Sequence, residues 1–523
     1  MVMLLLACAP APEADKATTA EMPAMEVLIR ASIDLRGVRP TDDEMAAVEA
    51  DPTAVDGMID RYLQDPRFEG RVADLYQEVF LTRNDSYLIT AASYGLTDEA
   101  EFSRSVGDEV PRMVGYLAAH DLPWTDLVTA DWTMSNETLA QIWPLDYPTG
   151  ATGWLPAHYT DDRPAAGVLS TNSLWWRYPS TDSNANRKRA NAISRTLLCD
   201  DYLSRPIDFD RNVNLLDQGA VNDALATNPA CINCHSSLDP IASSLFGFWW
   251  YDYTNPGEAS HYYPEREQRW KDYSGAPPAW YGTPVRNLAE LGQKIAGDHR
   301  YADCAVQHAW ELLLRRDTDL ADETSLLPHR NAFLSGGLAL RPLFKSILSD
   351  PLYRAGDTAD TRYTSRKQAT PDLLASEIQD LTGYSWTYGG YDLMRTDASG
   401  FQTLAGGADG YAVTAPSQTP NTTVLLVQER LAEAAAWYAV NQGSSPLFTV
   451  DFSETPESNR EAMVAQMQAL HWRIFGRRVA ADGDEVQAGL ALWSDLYNVD
   501  RSQKAAWAGV LSVLLRDPDF LFY

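Results

Sequence analysis

The sequence is poor in basic side chains and has no long apolar run. Lys and Arg number 42 against 72 Asp and Glu in 523 residues, giving a formal net charge of −30. A surface of that sign repels nucleic-acid phosphates and anionic lipid headgroups, which excludes nucleic-acid binding and disfavours membrane binding through a basic patch. No apolar run approaches the roughly 20 residues of a spanning helix. A composition of 45% hydrophobic and 22% charged residues therefore indicates a folded, soluble chain of about three or four domains.

Cysteine is scarce, and the first of five cysteines closes an apolar stretch at the start of the chain. Residues 1–8 read MVMLLLAC, and the last four, ending at Cys8, resemble the lipobox of bacterial lipoproteins, whose cysteine is diacylated. No Lys or Arg precedes it and the stretch is short for a signal peptide, so we expect the true start further upstream. The lipobox predicts an exported cell-envelope protein, lipid-anchored through Cys8, at the outer membrane facing the periplasm or the surface. The alternative is a ragged apolar N-terminus with a stray cysteine.

Two further cysteines form a C-x-x-C-H motif, Cys231-Ile-Asn-Cys234-His235. This is the attachment sequence of c-type haem, in which each thiol adds to one vinyl group and the histidine becomes the proximal iron ligand. A thioredoxin-like redox pair or half of a zinc site would use the same cysteines. Neither alternative fits well, because no second C-x-x-C completes a zinc site and no βαβ pattern surrounds the pair. The motif predicts one covalently attached haem c.

The remaining two cysteines, Cys199 and Cys304, flank the motif at a distance. In an oxidising compartment, two leftover cysteines most simply form a disulfide. The alternative is a pair of buried free thiols. We expect the bridge, closing a loop that contains the C-x-x-C-H motif.

The sixth iron ligand is not fixed by the sequence, since methionine is absent between Met134 and Met394. A methionine ligand would therefore need long-range folding, with Met134 the better candidate. His261 and His158 lie in aromatic loops that could reach over a haem, although an ordinary loop histidine is the expected role of each. His299 and His308 are nearer in sequence than a methionine, and a core or surface role is expected for His308. An empty sixth position would instead permit peroxide or oxygen chemistry.

Two groups near the motif could support the haem. Asp239 could accept a hydrogen bond from the His235 ring and orient it, or it could only form an Asx-turn. The cluster Arg187, Lys188 and Arg189 could pair with the haem propionates, or it could be a solvated turn.

Three segments look like copies of one helical unit. In each, an arginine precedes a glutamate by eight positions, and a later helix ends at Asp-Pro with Phe or Tyr two residues after the proline. The arginine–glutamate pairs are Arg36 and Glu44, Arg315 and Glu323, and Arg477 and Glu485. A helix, a polar turn that begins a second amphipathic helix, and a proline stop predict an αα-hairpin whose apolar stripe packs elsewhere.

These features together resemble the multi-domain cytochrome-c-like proteins of unknown function of planctomycetes and myxobacteria. The resemblance covers most of the chain after residue 26 and is most specific around the haem motif. It departs in the run after Asp239-Pro240 and in lacking a histidine shortly before the motif. The family implies a mainly helical haem c protein and supplies no established reaction. The segments that carry it are residues 121–136 (DLPWTDLVTADWTMSN), 163–170 (RPAAGVLS), 187–199 (RKRANAISRTLLC) and 228–240 (NPACINCHSSLDP).

We therefore expect a mainly α fold, with several helical-hairpin units packed around a loop-rich, cytochrome-c-like haem segment. The predicted organisation is a signal remnant and tether (1–25), an N-terminal helical domain with the first repeat (26–160), the haem segment (161–275), the second repeat domain (276–358) and a C-terminal domain with the third repeat (359–523).

The predicted function is single-electron transfer by an exported c-type haem lipoprotein that works with an unidentified redox partner or partner enzyme. One alternative is a peroxidase- or oxygenase-like haem enzyme with an open distal site. Another is a surface scaffold that binds polysaccharide or a partner, with a structural haem.

Overall fold

The structure is a computed structural model and describes residues 21–85, 87–205, 214, 217–248, 250, 253–320, 322–356, 366–442 and 446–523. Within these residues the chain is mainly helical, with 59% helix and only two-stranded sheets, so the expected mainly α fold is confirmed. None of the helices in these ranges is both long enough and apolar enough to cross a bilayer. Cys8, the predicted lipidation site, lies outside the described residues.

The N-terminal part of the chain is helical, with one short antiparallel strand pair. Its elements are α1 (Ala24–Arg36), α2 (Asp42–Ala50), α3 (Val55–Tyr62), α4 (Arg67–Phe80), α5 (Glu99–Ala119), α6 (Asp126–Thr129), β1 (Thr133–Ser135), α7 (Leu139–Ile142) and β2 (Leu155–Ala157). Helix α5 contains Pro111 in its interior and packs along α4. The strands β1 and β2 pair with Met134 opposite Pro156. This part supplies much of the larger apolar core.

The middle of the chain consists of short helices joined by loops. Its elements are α8 (Asn172–Arg177), α9 (Arg187–Leu198), α10 (Gln218–Thr227), α11 (Pro229–Ser243), α12 (Pro256–Ala259), α13 (Trp270–Tyr273), β3 (Ala279–Trp280), β4 (Thr283–Pro284) and α14 (Leu288–Ala296). Helix α11 carries the C-x-x-C-H motif and packs against α9, α10 and β3.

The rest of the chain is again built from longer helices. Its elements are α15 (His299–Leu314), α16 (Glu323–Ser335), α17 (Leu340–Leu348), α18 (Pro371–Thr382), β5 (Thr387–Tyr388), β6 (Tyr391–Asp392), α19 (Phe401–Leu404), α20 (Thr422–Asn441), α21 (Arg460–Phe475), α22 (Asp484–Asp500), α23 (Gln503–Leu515) and α24 (Pro518–Leu521). Helix α15 packs against α9, which joins this part to the middle of the chain.

Each of the three repeats contains three helices, where the sequence pattern predicts two. The repeats are α1–α3, α15–α17 and α21–α23, and in each the first helix contacts the other two. The segment predicted as one second helix is divided in every copy: by Asp51-Pro52 in the first, by Gly336-Gly337 in the second, and by Arg501 in the left-handed region with φ 53° in the third. The predicted hairpin is therefore corrected to a three-helix unit.

The turn of the first repeat explains the arginine–glutamate spacing there. Thr41 and Glu44 form a capping box at the start of α2, in which each side chain accepts a hydrogen bond from the other residue's backbone N–H. The Glu44 carboxylate also accepts two hydrogen bonds from Arg36, at 3.0 and 2.8 Å. The equivalent arginines of the other repeats bind different carboxylates: Arg315 binds Glu78 and Arg477 binds Asp519.

The buried side chains form two main apolar clusters. The larger one extends from Met22 to Tyr353 and includes Trp472, and the smaller one extends from Leu374 to Phe520. A buried polar joint connects the two regions, because the Asp34 carboxylate accepts hydrogen bonds from Lys367 Nζ and from the hydroxyls of Tyr353 and Tyr523. The predicted boundaries within the larger cluster, at 160/161 and 275/276, stay predictions.

Candidate functional site

The C-x-x-C-H motif occupies the first two turns of α11. Asn228 caps this helix by accepting a hydrogen bond from the backbone N–H of Ala230 at 2.9 Å, and Pro229 is well placed at the first helical position. Residues three and four apart lie on one face of a helix. The helix therefore presents Cys231, Cys234 and His235 together.

The four cysteines of the described residues fall into two classes. Cys199 and Cys304 form a disulfide, which confirms the predicted bridge. Cys231 and Cys234 are half-buried and not bonded to another cysteine. Two thiols thus remain on α11 for other chemistry.

The imidazole of His235 contacts a carboxylate that is in turn bound by an arginine. His235 Nδ1 lies 2.9 Å from Asp239 Oδ1, one helical turn further along α11. Arg187, at the start of α9, donates from Nε and Nη2 to the two oxygens of the same carboxylate at 2.7 and 3.1 Å. When Nδ1 donates to Asp239, Nε2 is the nitrogen with a free lone pair, as an iron ligand requires.

The carboxylate of Asp239, between His235 and Arg187, is ionised at neutral pH. Burial would raise the pKa of Asp239, but hydrogen bonds from His235 and Arg187, together with their charges, outweigh it and lower that pKa. A negative charge next to Nδ1 stabilises the N–H of His235 on that nitrogen. It thereby fixes both the tautomer and the orientation of the ring.

Polar groups of α9 and the following turn surround the motif on its other side. Tyr202 Oη lies 2.7 Å from Ser237 Oγ, and Asn191 Oδ1 accepts a hydrogen bond from the Tyr202 backbone N–H. Arg205 forms an ion pair with Asp200 and lies near Cys234.

The three residues of the basic cluster have different environments. Arg187 is bound to Asp239. Lys188 is exposed at the same end of α9, and no carboxylate among the described residues forms an ion pair with it. Arg189 is fully buried and donates to the carbonyls of Tyr178 and Phe248 at 2.9 and 2.8 Å. The Arg189 side chain therefore serves the core.

The candidate sixth ligands lie in separate places. Met134 is buried on β1, which packs on α5 and β2. His158 is exposed, with Nδ1 3.0 Å from Asp146, and His261 is exposed, with Nδ1 3.1 Å from the Gly257 carbonyl. Within the described residues no hydrogen bond joins these three side chains to α11.

The two remaining histidines considered as ligands, His308 and His299, contact groups outside α11. His308 Nε2 lies 3.3 and 3.6 Å from the sulfurs of Cys304 and Cys199 and 3.1 Å from the Thr196 carbonyl, and burial lowers the pKa of this imidazole. His299 is exposed, with Nδ1 3.1 Å from Asp303.

The sequence pointed to Asp239 and Arg187 separately and missed that they bind each other. Their separation of 52 residues carries no local spacing signal, and only the packing of α9 on α11 brings them together. The hydrogen bond between Tyr202 and Ser237 is missed for the same reason, since 35 residues separate the two.

The site thus defines a class: a helical protein that presents two unpaired thiols and a carboxylate-oriented histidine on one helix face. No family model, curated protein or solved structure matches the chain. The resemblance to cytochrome-c-like proteins accordingly stays a prediction.

Proposed function

We propose that this protein is an exported c-type haem protein that transfers single electrons. The observation that carries the proposal is the line from His235 through Asp239 to Arg187, on the same helix as the two unpaired thiols. A histidine ligand to a metal commonly donates its second ring N–H to a carboxylate, which fixes the ring and raises its basicity. The donor set fits a covalently attached haem with one protein imidazole.

Each residue has a definite role in this proposal. Cys231 and Cys234 would form the two thioether links, and His235 Nε2 would be the proximal ligand. The bound haem supplies an iron that gains or loses one electron. Asp239 holds the His235 ring and increases its electron donation, which favours the oxidised state, and Arg187 moderates this effect by sharing the carboxylate. Arg187 and Lys188 would be the basic side chains that pair with the propionates.

Export and anchoring are part of the same proposal. A disulfide between Cys199 and Cys304 is typical of an oxidising compartment. Lipidation of Cys8 would hold the protein at the cell envelope. A net charge of −30 favours a redox partner with a basic docking surface, because complementary charge steers association. In this arrangement the helical units would surround the haem segment.

Covalent haem is tested by producing the protein with a c-type haem maturation system. We expect haem-dependent peroxidase staining on a denaturing gel, and a mass increase by one haem. The Cys231→Ala/Cys234→Ala variant should lose both, while the control Ser236→Ala, an exposed residue beside the motif, should keep both. Bare cysteines in the mature protein would contradict the proposal.

Spectroscopy of the same material separates electron transfer from haem enzymology. Low-spin, six-coordinate iron that binds cyanide slowly supports electron transfer. High-spin iron that reacts rapidly with peroxide would instead support the enzyme. Labelled palmitate that enters the wild type but not Cys8→Ser would support the lipid anchor.

A further inference from the structure

The disulfide between Cys199 and Cys304 has a histidine beside it. His308 Nε2 lies 3.3 Å from Cys304 Sγ and 3.6 Å from Cys199 Sγ. Cys199 follows the last residue of α9, whereas Cys304 and His308 lie one turn apart on α15. Two sulfurs and a ring nitrogen, all groups that bind metal ions, thus lie within 4.8 Å of one another.

The two distances from the ring nitrogen match those between neighbouring ligands of a zinc ion. Zinc is bound tetrahedrally by thiolates at about 2.3 Å and by imidazole at about 2.0–2.1 Å, which places the nitrogen about 3.5 Å from each sulfur. The His308 ring is therefore already at the required distance from both sulfurs. Reduction of the bond between the sulfurs lets them separate and makes both available as thiolates.

An oxygen atom is available as a fourth donor. The Thr196 carbonyl, in the last turn of α9, lies 3.1 Å from His308 Nε2 and 3.9 Å from Cys304 Sγ. Carbonyls in the last turn of a helix lack a partner within that helix, so they are able to bind other groups. Two thiolates, one imidazole and one carbonyl oxygen make up the four donors of a tetrahedral site.

The other nitrogen of the His308 ring faces a carboxylate. Glu311 Oε2 lies 3.9 Å from His308 Nδ1, while Oε1 of the same carboxylate accepts hydrogen bonds from Gln307 and Thr318. A negative charge near Nδ1 favours a proton on that nitrogen, and the Nε2 lone pair is then free for a metal ion.

We propose that the reduced form of this disulfide is a zinc site formed by Cys199, Cys304 and His308, with the Thr196 carbonyl oxygen as the fourth donor. Cys199 is half-buried and the His308 side chain is 15% exposed, so a reductant and an ion can reach the site from solvent. Disulfide and zinc exclude each other, because both use the same two sulfurs. In either state α9 is bonded to α15, and the site is independent of the haem proposed for α11.

The change from disulfide to zinc site proceeds in two balanced steps. A dithiol supplies two electrons and two protons: the bond between the two sulfurs breaks, two cysteine thiols form, and the dithiol becomes a disulfide. The two thiols then release their protons to solvent as they bind Zn²⁺. The imidazole keeps one proton, which is on Nδ1 once Nε2 binds the ion.

The test uses the full chain with Cys8→Ser, Cys231→Ala and Cys234→Ala, so that Cys199 and Cys304 are its only cysteines. One sample stays oxidised, and the other is reduced anaerobically with a phosphine that is removed by gel filtration. Zn²⁺ is titrated in competition with a chromophoric chelator, and Co²⁺ serves as a spectroscopic probe. We expect the reduced form to bind one more zinc ion per chain than the oxidised form, and to show thiolate-to-cobalt charge-transfer absorption that the oxidised form lacks. Zinc should also raise the unfolding temperature of the reduced form alone.

Two variants of this protein assign the binding to His308. His308→Gln should weaken zinc binding by the reduced form by about tenfold or more, since even the loss of a group that only orients a ligand costs that much. The matched control His299→Gln removes an exposed histidine of the same helix outside the site, and should leave the affinity unchanged. Thiol counts on the oxidised variants show whether each still folds and forms the disulfide.

Three results would overturn the proposal. The reduced form binds no more zinc than the oxidised form; cobalt bound to the reduced form shows no thiolate absorption; or His308→Gln binds zinc as tightly as its parent. If reduction alone unfolds the chain, zinc should restore its helical circular dichroism, and failure to do so refutes the proposal equally.

Discussion

Replacement of Asp239 by Asn removes the charge that organises the candidate site while keeping the shape of the side chain. The Asp239 side chain is 11% exposed, and its partners Arg187 and His235 are 20% and 26% exposed, so solvent screens these contacts only partly. An Asn oxygen can accept from Arg187 or from His235, but the amide group then opposes the remaining donor. A buried hydrogen bond to a charged group contributes about 1.5–3 kcal/mol, so we expect Asp239→Asn to lower the free energy of unfolding by about 2–3 kcal/mol.

Urea denaturation, followed by tryptophan fluorescence and circular dichroism, measures this loss. The matched control is Asp200→Asn, which breaks the ion pair between Asp200 and Arg205. The side chains of these two residues are both near 30% exposed. Partly exposed pairs of this kind contribute about 0.2–1 kcal/mol. Asp239→Asn should therefore destabilise the protein clearly more than the control.

The effect of Asp239 also depends on pH with a definite sign. Because the pKa of Asp239 is lowered below 3.8 in the folded protein, its stabilising contribution is complete above that value and is lost as pH falls through the folded-state pKa. The stability difference between wild type and Asp239→Asn should shrink in strong acid. Equal stability of the two proteins at neutral pH, or a difference that persists unchanged in strong acid, would refute the proposed role of the carboxylate. In haem-loaded protein the same variant should keep the covalent haem but show a higher reduction potential, whereas Asp200→Asn should not.

Three further perturbations test other parts of the structure. Replacing both Cys199 and Cys304 by Ser opens a loop of 105 residues and should lower the free energy of unfolding by up to about 4.7 kcal/mol in the chain-entropy estimate; a urea midpoint equal to that of the oxidised wild type would contradict this. Burial lowers the pKa of Lys367 to about 7, although the charge of Asp34 opposes the change. The stability of the wild type should therefore rise between about pH 7 and 10.5, and that of Lys367→Met should not. If the stabilities of the two proteins change with pH in parallel, Lys367 is not desolvated. Burial raises the pKa of Glu109 from 4.5 to about 7. The stability of the wild type should therefore fall as pH rises between these two values, and that of Glu109→Gln should not. Thermal unfolding across this pH range measures both, and a wild-type unfolding temperature that does not change with pH would contradict the prediction.

The repeats show how far local signals go. The Asp-Pro helix stops and the Thr41 capping box can be recognised in the sequence, because each depends on residues only a few positions apart. The break inside the predicted second helix can also be recognised in the first two repeats, since Asp51-Pro52 and Gly336-Gly337 are helix-terminating pairs. In the third repeat the break falls at Arg501, a non-glycine residue with φ 53°, followed by a Ser502 cap. The propensity of Arg for helices hid that boundary.

The candidate site divides in the same way. The spacing of Cys231, Cys234 and His235 is local, so the sequence alone groups these three residues, while their position on one face of a helix is known only from the structure. The pairing of Arg187 with Asp239 depends on which helices pack together.

Helix α9 links the motif helix α11 to the second repeat, although α9 has only 12 residues. Its first residue, Arg187, binds the carboxylate that orients His235, and Cys199, the residue that follows the last turn of α9, is bonded to Cys304 of α15. The helix is thus fixed at both ends, by an ion pair to α11 and by a covalent bond to the second repeat. Displacement of α9 along its axis would break the two contacts with Asp239 or distort the disulfide, so the orientation of the His235 ring is tied to the position of α15. The proposed role of His235 as proximal ligand would benefit from this arrangement, because a ligand whose orientation is fixed beforehand needs little reorganisation when the charge of the iron changes.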